Sequence, residues 1–266
     1  MKKNIKRLLN RFHFDIVRLE RSEDYLREKV TPRIGRYDTP RGSYFLPLDA
    51  PHDSVVNCIK HGRVFEPEVV EIARDHIKRG STVLDLGANF GQMSLLFSEL
   101  TGSTGDVYSF EADDFIFDLL KKNISANHGE NIRPIFGAAY NVVGKTLHFP
   151  IPDFQRFGSY GSYGIDLNAT SGRSVETITI DSLSINTPIS FMKVDVQGSD
   201  LFAMQGAVET IRRHKMPILF EFEQQFQSEF KTSFQDYVDF IESIDYKFSK
   251  VIMGINYLVI PKQSYT

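Results

Sequence analysis

Alternating apolar and polar stretches predict a succession of strands and helices along the chain. Residues 82–86 form a short apolar run that is typical of a buried strand, and residues 92–100 repeat apolar positions at helical spacing. The same order recurs at once, with an apolar strand over residues 107–111 and a helix over 113–127. Strands that alternate with helices in this way predict an α/β fold with parallel strands and helices on both faces.

The rest of the chain continues this pattern. Further strands are expected at 43–46, 133–140, 146–149, 175–180, 189–196 and 216–223, and helices at 67–77, 199–214 and 234–244. Residues 247–251 and 257–260 read as two strands joined by a short turn, which predicts a C-terminal antiparallel hairpin. We therefore expect a mostly parallel, seven-stranded sheet that ends in this hairpin, with residues 146–149 extending it by an antiparallel turn back.

The first part of the chain has a different character. Residues 1–17 are basic, and their apolar residues fall on one helical face. Such a helix either lies on an anionic membrane surface or packs on the domain or on a second subunit, and its short length favours packing. Residues 31–56 are rich in proline and glycine and are expected to be an irregular connection with one strand. We place an N-terminal extension at 1–55 and one α/β domain at 56–266.

Composition limits the partners. The chain has 266 residues and a formal net charge of −3, so no overall field attracts nucleic acid, and none is expected to bind. Cys58 is the single cysteine, which excludes an internal disulfide and fits a reducing compartment. No apolar run is long enough to cross a bilayer. A cytoplasmic protein, peripheral at the inner membrane face if residues 1–17 bind lipid, is the expectation.

A glycine turn lies between the first predicted strand and its helix. It reads Asp85-x-Gly87-x-Asn89-x-Gly91, and Asn89 stands where the dinucleotide pattern requires its second glycine. The turn is instead typical of class I methyltransferases, which bind S-adenosylmethionine (SAM). Gly87 is expected to let the backbone approach the ligand closely. Glu111 ends the next strand, at the distance expected of an acid that holds ribose hydroxyls; the alternative is a solvated strand end.

Several sequence blocks together resemble the FkbM-type SAM-dependent methyltransferases. The matching blocks are residues 83–91, 109–112, 137–139, 179–183, 192–198 and 217–221, in the family's order. The resemblance implies a Rossmann-like class I methyltransferase fold and O-methylation of sugars or of hydroxyls of secondary metabolites. Gln197 departs from the family, which usually has an acid there, whereas Asp200 keeps the second acid of the same block. Residues 1–50 and the loop 153–172 lie outside the resemblance.

Candidate cofactor-binding residues cluster around the glycine turn and the two strand ends that follow it. They are Glu66, Asp85, Gly87, Ala88, Asn89, Gly91, Glu111, Ala112 and Ala138. Asp85 is expected either to order the turn or to meet the ammonium group of SAM, and Glu66 either to reach that ammonium or simply to precede a helix.

Methyl transfer to a hydroxyl also needs a base that removes the hydroxyl proton. Asp195 is the first candidate because it ends a central strand, with Lys193 on the same face to tune it. Glu221 and Glu223 at the next strand end are the second candidates, and a solvated strand end is the alternative for all of them.

The glycine- and serine-rich loop 153–172 carries aromatic residues, among them Tyr160 and Tyr163, which suits a lid over a sugar ring; an ordinary surface loop is the alternative.

We therefore expect a SAM-dependent O-methyltransferase acting on a saccharide or glycan precursor. The alternatives are a non-sugar acceptor, an NAD(P)-dependent reductase of similar fold, and a non-catalytic partner that has kept the fold. A magnesium ion on Asp195, Glu221 and Glu223 ranks below metal-free catalysis because no tight ligand motif is present. A homo-oligomer is compatible with the sequence, which does not decide it.

Overall fold

A computed structural model describes residues 33–149, 159–162, 164–167, 169 and 172–262. The helix expected within residues 1–17 and the candidate Tyr163 lie outside these residues. Within the described part of the chain, no helix has both the length and the apolar character needed to span a bilayer.

The described residues form twelve strands and eight α-helices. The strands are β1 (Ile34–Thr39), β2 (Gly42–Pro47), β3 (Thr82–Leu86), β4 (Asp106–Glu111), β5 (Ile132–Phe136), β6 (Ala138–Ala139), β7 (Thr146–Phe149), β8 (Arg173–Ile178), β9 (Ile189–Val194), β10 (Ile218–Glu221), β11 (Tyr246–Ile252) and β12 (Asn256–Pro261). The helices are α1 (Ser54–Lys60), α2 (Pro67–His76), α3 (Gln92–Thr101), α4 (Asp114–Ala126), α5 (Asp200–Gln205), α6 (Val208–His214), α7 (Gln224–Phe230) and α8 (Phe234–Ser243). Short 3-10 turns cover Tyr160–Ser162 and Ile180–Leu183.

The central sheet has seven strands in the order β11-β12-β10-β9-β3-β4-β5. Neighbouring strands from β10 to β5 are parallel, and β12 is antiparallel to both of its neighbours. The expected mostly parallel sheet and its C-terminal antiparallel hairpin are therefore confirmed. The chain moves outward from β3 through β4 and β5, and later returns to β9 on the other side of β3. This change of direction creates a crevice at the carboxyl ends of β3 and β9, where ligands bind in open α/β sheets.

The two central strands are buried along their whole length, which explains their continuous apolar sequence. Successive side chains point to opposite faces of the sheet. Val83 and Phe191 join a core on one face with α2, α3 and α4, whereas Leu84 and Met192 join a second core with α5 and α8. The sheet is thereby held rigid between two apolar layers.

The expectation that residues 146–149 extend the central sheet is wrong. They form β7, which pairs antiparallel with β8, and β8 pairs parallel with the short β6 in a separate three-stranded sheet. The expected strand 133–140 is divided between β5 and β6 at Gly137, which has φ +154°. A Cβ on Gly137 would lie 2.2 Å from a side-chain carbon of Ile178, so the chain passes close to β8 directly before it enters β6.

The single helix expected over 199–214 is also wrong, because α5 and α6 are separate helices. At the break, a Cβ on Gly206 would lie 1.9 Å from the carbonyl oxygen of Tyr140. The carboxylate of Asp181 accepts hydrogen bonds from the backbone amides of Glu209 and Thr210 at the start of α6. A capping contact from a distant part of the chain thus starts the second helix.

The N-terminal part of the described chain is more regular than expected. β1 and β2 form an antiparallel hairpin where an irregular connection with one strand was predicted. The side chain of Asn123 on α4 exchanges hydrogen bonds with the backbone of Phe45 in β2, and Asn127 does the same with Ser43. The hairpin therefore packs on α4, while the domain boundary at residue 55 stays a prediction.

Candidate active site

The ends of β3 and β9 meet so closely that only glycine fits between them. Gly87 follows β3 with φ +83°, and a Cβ there would lie 1.8 Å from the carbonyl oxygen of Asp195. The amide of Asp195 donates to the carbonyl of Leu86 at 3.0 Å. We expected Gly87 to let the backbone approach a ligand closely. This explanation is incomplete, because the backbone at Asp195 already leaves no room for a side chain at position 87.

The glycine turn continues with residues in unusual backbone conformations. Asn89 has φ +50° and Gly91, directly before α3, has φ +86°. A Cβ on Gly91 would lie 2.7 Å from the side chain of Leu120, so α3 begins in contact with α4. The backbone amide of Asn89 donates to Oε2 of Glu111 at 2.9 Å. The turn and the end of β4 are therefore directly connected.

Glu111 has three backbone hydrogen bonds in all. Besides the Asn89 amide on Oε2, its Oε1 accepts from the amides of Ala112 and Asp113, both at 2.8 Å. Two carboxylate oxygens offer about four acceptor positions, so one remains for a ligand hydroxyl. Burial raises the pKa of Glu111 to about 7 against the opposing effect of these amides.

A cleft lies beside the ends of β3, β4 and β9. Its wall contains small residues and backbone at the turn and along β6, with aromatic rings opposite them. Lining residues include Gly87, Asn89, Glu111, Ala112, Gly137, Ala138, Phe149, Tyr160, Asp195 and Gln197.

Tyr160 forms part of the cleft wall through aromatic contacts. Its ring centroid lies 5.5 Å from that of Phe115 and 6.0 Å from that of Phe90, and its backbone amide donates to the buried Asp53 at 2.7 Å. A Cβ on the adjacent Gly161 would lie 3.0 Å from Nδ2 of Asn89. The segment around Tyr160 therefore lies directly beside the glycine turn.

A network of ionisable groups occupies the β9 side of the cleft. Lys193 Nζ donates to Oδ2 of Asp195 at 2.8 Å, and Gln197 Nε2 donates to Oδ1 of the same carboxylate at 3.1 Å. The same Gln197 nitrogen lies 3.2 Å from Oε2 of Glu221, at the end of β10. The side chain of Asp195 is 25% exposed and that of Lys193 only 5%, so the aspartate is the member that faces the cleft.

The network separates the protonation states of its two carboxyl groups. Burial alone would raise the pKa of Asp195, but the Lys193 ammonium and hydrogen bonds from Lys193, Glu221 and Gln197 lower it overall. Burial and the charge of Asp195 raise the pKa of Glu221 well above its ordinary value. Lys193 stays charged because Asp195, Asp85 and Glu66 outweigh its burial and raise its pKa. The site therefore favours the ionised form of Asp195 and the protonated form of the neighbouring Glu221.

Three further acids surround this network. Glu66, in a left-handed conformation before α2, has its pKa raised to about 7 by burial and by the charge of Asp195. Asp85 is fully buried; its Oδ2 accepts from the hydroxyl of Ser94, and its Oδ1 has no hydrogen-bond partner within the described part of the chain. Asp200 accepts from the amide of Gly198 at 3.0 Å and so orders the turn after β9.

The structure brings most of the sequence-derived candidates to one edge of the sheet. Gly87, Asn89, Glu111, Ala112 and Ala138 line the cleft together with Tyr160 and Asp195. Ala88, Gly91 and Asp85 lie buried behind the turn, whereas Lys193, Glu221, Glu223 and Glu66 lie around Asp195. Their roles stay predictions.

Sequence reasoning missed two features of the site. Gln197 was noted only as a departure from the family pattern, and no local signal showed that its amide bridges two carboxyl groups. Arg173 forms a salt bridge with Asp113 beside Ala112, and its guanidinium lies 5.8 Å from the centre of the Phe149 ring. Both features depend on contacts between residues far apart in the chain.

Among the described residues, no group of three histidine, cysteine, aspartate or glutamate side chains is arranged to hold a metal ion. The suggested set of Asp195, Glu221 and Glu223 is thus not arranged as a metal site in this part of the chain. Metal-free catalysis stays a prediction.

The cleft does fit SAM. Glu111 keeps an acceptor position for a ribose hydroxyl, the small side chains of Ala112 and Ala138 leave room for a flat ring, and the start of α3 presents amides near Asn89. Carboxylates on the β9 side suit a ligand that carries an ammonium and a sulfonium. The residues that line the cleft therefore agree with this cofactor.

Comparisons with known proteins agree with this fit. The model of the methyltransferase FkbM domain matches residues 85–248, more than half of the chain. A protein-L-isoaspartate O-methyltransferase of Methanosarcina mazei is 26% identical over 99 residues, which span 37% of this chain and 38% of that protein.

Solved structures also resemble the fold. A methyltransferase FkbM from Methylobacillus flagellatus superposes with a TM-score of 0.46 and 17% identity, over 72% of this chain and 50% of that one. The TYW2 protein of M. jannaschii, solved in complex with AdoMet, gives a TM-score of 0.46 and 12% identity, over 86% and 85%. The chain thus spans about half the length or less of the first two relatives. By the match over residues 85–248, the chain belongs to the FkbM family of SAM-dependent methyltransferases.

Proposed function

We propose that this protein transfers a methyl group from SAM to a hydroxyl of a saccharide or glycan precursor, with Asp195 as the proton acceptor. The observation that carries the proposal is the position of Asp195. It is an ionised carboxylate, partly exposed in the cleft, and two donors, Lys193 and Gln197, fix both of its oxygens. A hydroxyl acceptor requires such a base, because the oxygen must lose its proton as it forms the new bond.

SAM supplies, when bound, an electrophilic methyl group on a positively charged sulfur. The chain has two tasks in the reaction. The glycine turn and Glu111 fix the position of the donor, and this alignment alone contributes several kcal/mol to catalysis. Asp195 takes the proton from the acceptor oxygen while that oxygen bonds to the methyl carbon, and the electrons of the broken carbon–sulfur bond remain on sulfur.

The groups around Asp195 favour a polyhydroxyl acceptor. Carboxyl and amide side chains hydrogen-bond well to sugar hydroxyls, and the aromatic residues Tyr160 and Phe149 line the same cleft. A non-sugar hydroxyl metabolite remains the second candidate. The reductase alternative is disfavoured because Asn89 stands where the dinucleotide pattern requires its second glycine.

The Asp195→Asn variant tests this proposal. We expect kcat to fall by about 100- to 1,000-fold, the usual contribution of a general base, while SAM affinity measured by calorimetry changes little. The assay is methyl transfer from labelled SAM to a panel of sugars and hydroxylated metabolites. Full activity in the variant would assign the proton acceptor elsewhere, and a wild-type protein that methylates amines but no hydroxyl would refute the acceptor class.

A further inference from the structure

One amide in the cleft contacts both carboxyl groups of the proposed catalytic pair. Gln197 Nε2 lies 3.1 Å from Oδ1 of Asp195 and 3.2 Å from Oε2 of Glu221. Both contacts are to oxygen atoms of acids, so the nitrogen, not the oxygen, of the amide faces them. The side chains come from neighbouring parallel strands, β9 and β10, and Gln197 spans the gap between the two strand ends.

The backbone of Gln197 is held in a conformation that aims this amide. Its φ is +51°, which is uncommon for a residue with a side chain. The following Gly198 amide donates to Asp200, and a Cβ on Gly164 would lie 2.7 Å from the carbonyl oxygen of Gln197. Contacts on both sides therefore fix the turn that presents the side chain.

An acid at position 197, which the family usually has, would change this arrangement. A glutamate has the same length as glutamine but no N–H, so it offers neither carboxyl group a donor when ionised. It would also add a negative charge to a site that is already acidic. The groups facing Asp195 are Lys193 on its own strand, Glu221 and Glu223 from β10 and beyond, Glu66 before α2, Asp85 on β3 and Asp200 on α5.

We propose that Gln197 is a positioning residue that holds the carboxyl groups of Asp195 and Glu221 side by side and supplies Asp195 with an N–H donor, so that the aspartate serves as the proton acceptor. This inference rests on the proposed function. The N–H bond to Oδ1 stabilises the charged form of Asp195, and the shared amide keeps the two carboxyl groups close enough for Glu221 to donate to it. A neutral amide can do this, whereas an ionised carboxylate at position 197 would repel the Asp195 carboxylate.

The test compares Gln197→Glu with Gln197→Met, which keeps the length but not the amide. Gln235→Glu is the matched control, because Gln235 also donates to a carboxylate, Asp239, but is exposed on α8. In wild type the rate falls at low pH as Asp195 gains a proton. In Q197E we expect this fall to move to higher pH by about one unit, with at least a tenfold lower kcat at neutral pH and unchanged SAM affinity. In Q197M the pH at which the rate falls should move less, and in Q235E it should not move.

A second measurement does not depend on activity. In the ligand-free protein, Q197E adds a half-buried acid beside Asp195, so stability should fall more steeply from pH 5 to pH 8 than in wild type, as urea unfolding would show. The proposal is overturned if Q197E has the same pH dependence of the rate, or the same pH dependence of stability, as wild type. It is also overturned if Q197E only raises the KM for the acceptor and leaves the pH dependence of the rate unchanged. If Q197E does not fold, an unchanged pH dependence of the rate in Q197M overturns it.

If wild type methylates no hydroxyl, the proposed function fails, and the pH dependence of stability in the ligand-free protein becomes the test of Gln197.

Discussion

Replacing Gly87 by alanine isolates the energetic cost of the close contact between β3 and β9. An alanine at φ +83° costs about 1 kcal/mol in backbone strain alone. Its Cβ would in addition lie 1.8 Å from the carbonyl oxygen of Asp195, which is backbone and cannot rotate away. The strand ends must therefore separate by roughly 1 Å, which disrupts the hydrogen bond between Asp195 and Leu86 and adds about 2–3 kcal/mol.

The chain offers a matched control for this change. Gly144 has φ +76°, and a Cβ there would meet nothing within 4 Å. Gly144→Ala should therefore cost only the strain of about 1 kcal/mol, and Gly87→Ala about 3–4 kcal/mol. Free energies of unfolding from urea titrations would give both values. Equal losses in the two variants would show that the strand ends do not meet as described.

The remaining predictions concern binding, pH and packing. Glu111→Ala should weaken SAM binding by about tenfold, because a charged acceptor of a ribose hydroxyl is lost, and calorimetry that finds unchanged affinity removes Glu111 from the site. Burial raises the pKa of Glu66 to about 7, so it stabilises the protein below its ordinary pKa and this stability is lost as pH rises through 7. Between pH 5 and pH 8 the free energy of unfolding of Glu66→Gln, measured with urea, should therefore fall by about 2 kcal/mol less than that of wild type. An identical fall in both proteins would contradict this. Asn123→Ala should cost about 2–3 kcal/mol, because the fully buried amide bonds Phe45 and Phe90, and a loss below about 0.5 kcal/mol in urea unfolding would contradict that role.

Sequence patterns predicted the parts of the fold that depend on local periodicity. The unit of β3, glycine turn and α3 is present as expected, and α4 lies within the helix expected over 113–127, where Asp113 caps it through the amides of Phe115 and Ile116. These features involve residues close together in the chain, where hydrophobic spacing and capping preferences act directly.

The parts that sequence missed depend on contacts between distant residues. At the break between α5 and α6 the carbonyl oxygen of Tyr140 approaches Gly206, and β6 leaves the central sheet to pair with β8, which lies much further along the chain. β1 escaped notice because its residues are alternately exposed and half-buried, which leaves no clear apolar run. The same limit applies to Gln197, whose two partners lie on different strand ends.

The central claim is that SAM binds across the ends of β3 and β4, with its ribose at Glu111 and its amino-acid part beside Asn89. A crystal structure with S-adenosylhomocysteine, the product of methyl transfer, tests this most directly. We expect the ribose hydroxyls within hydrogen-bond distance of Glu111, the adenine between Ala112 and Ala138, and the sulfur directed towards Asp195. An adenosine bound elsewhere, or an empty cleft at saturating ligand, would contradict the account.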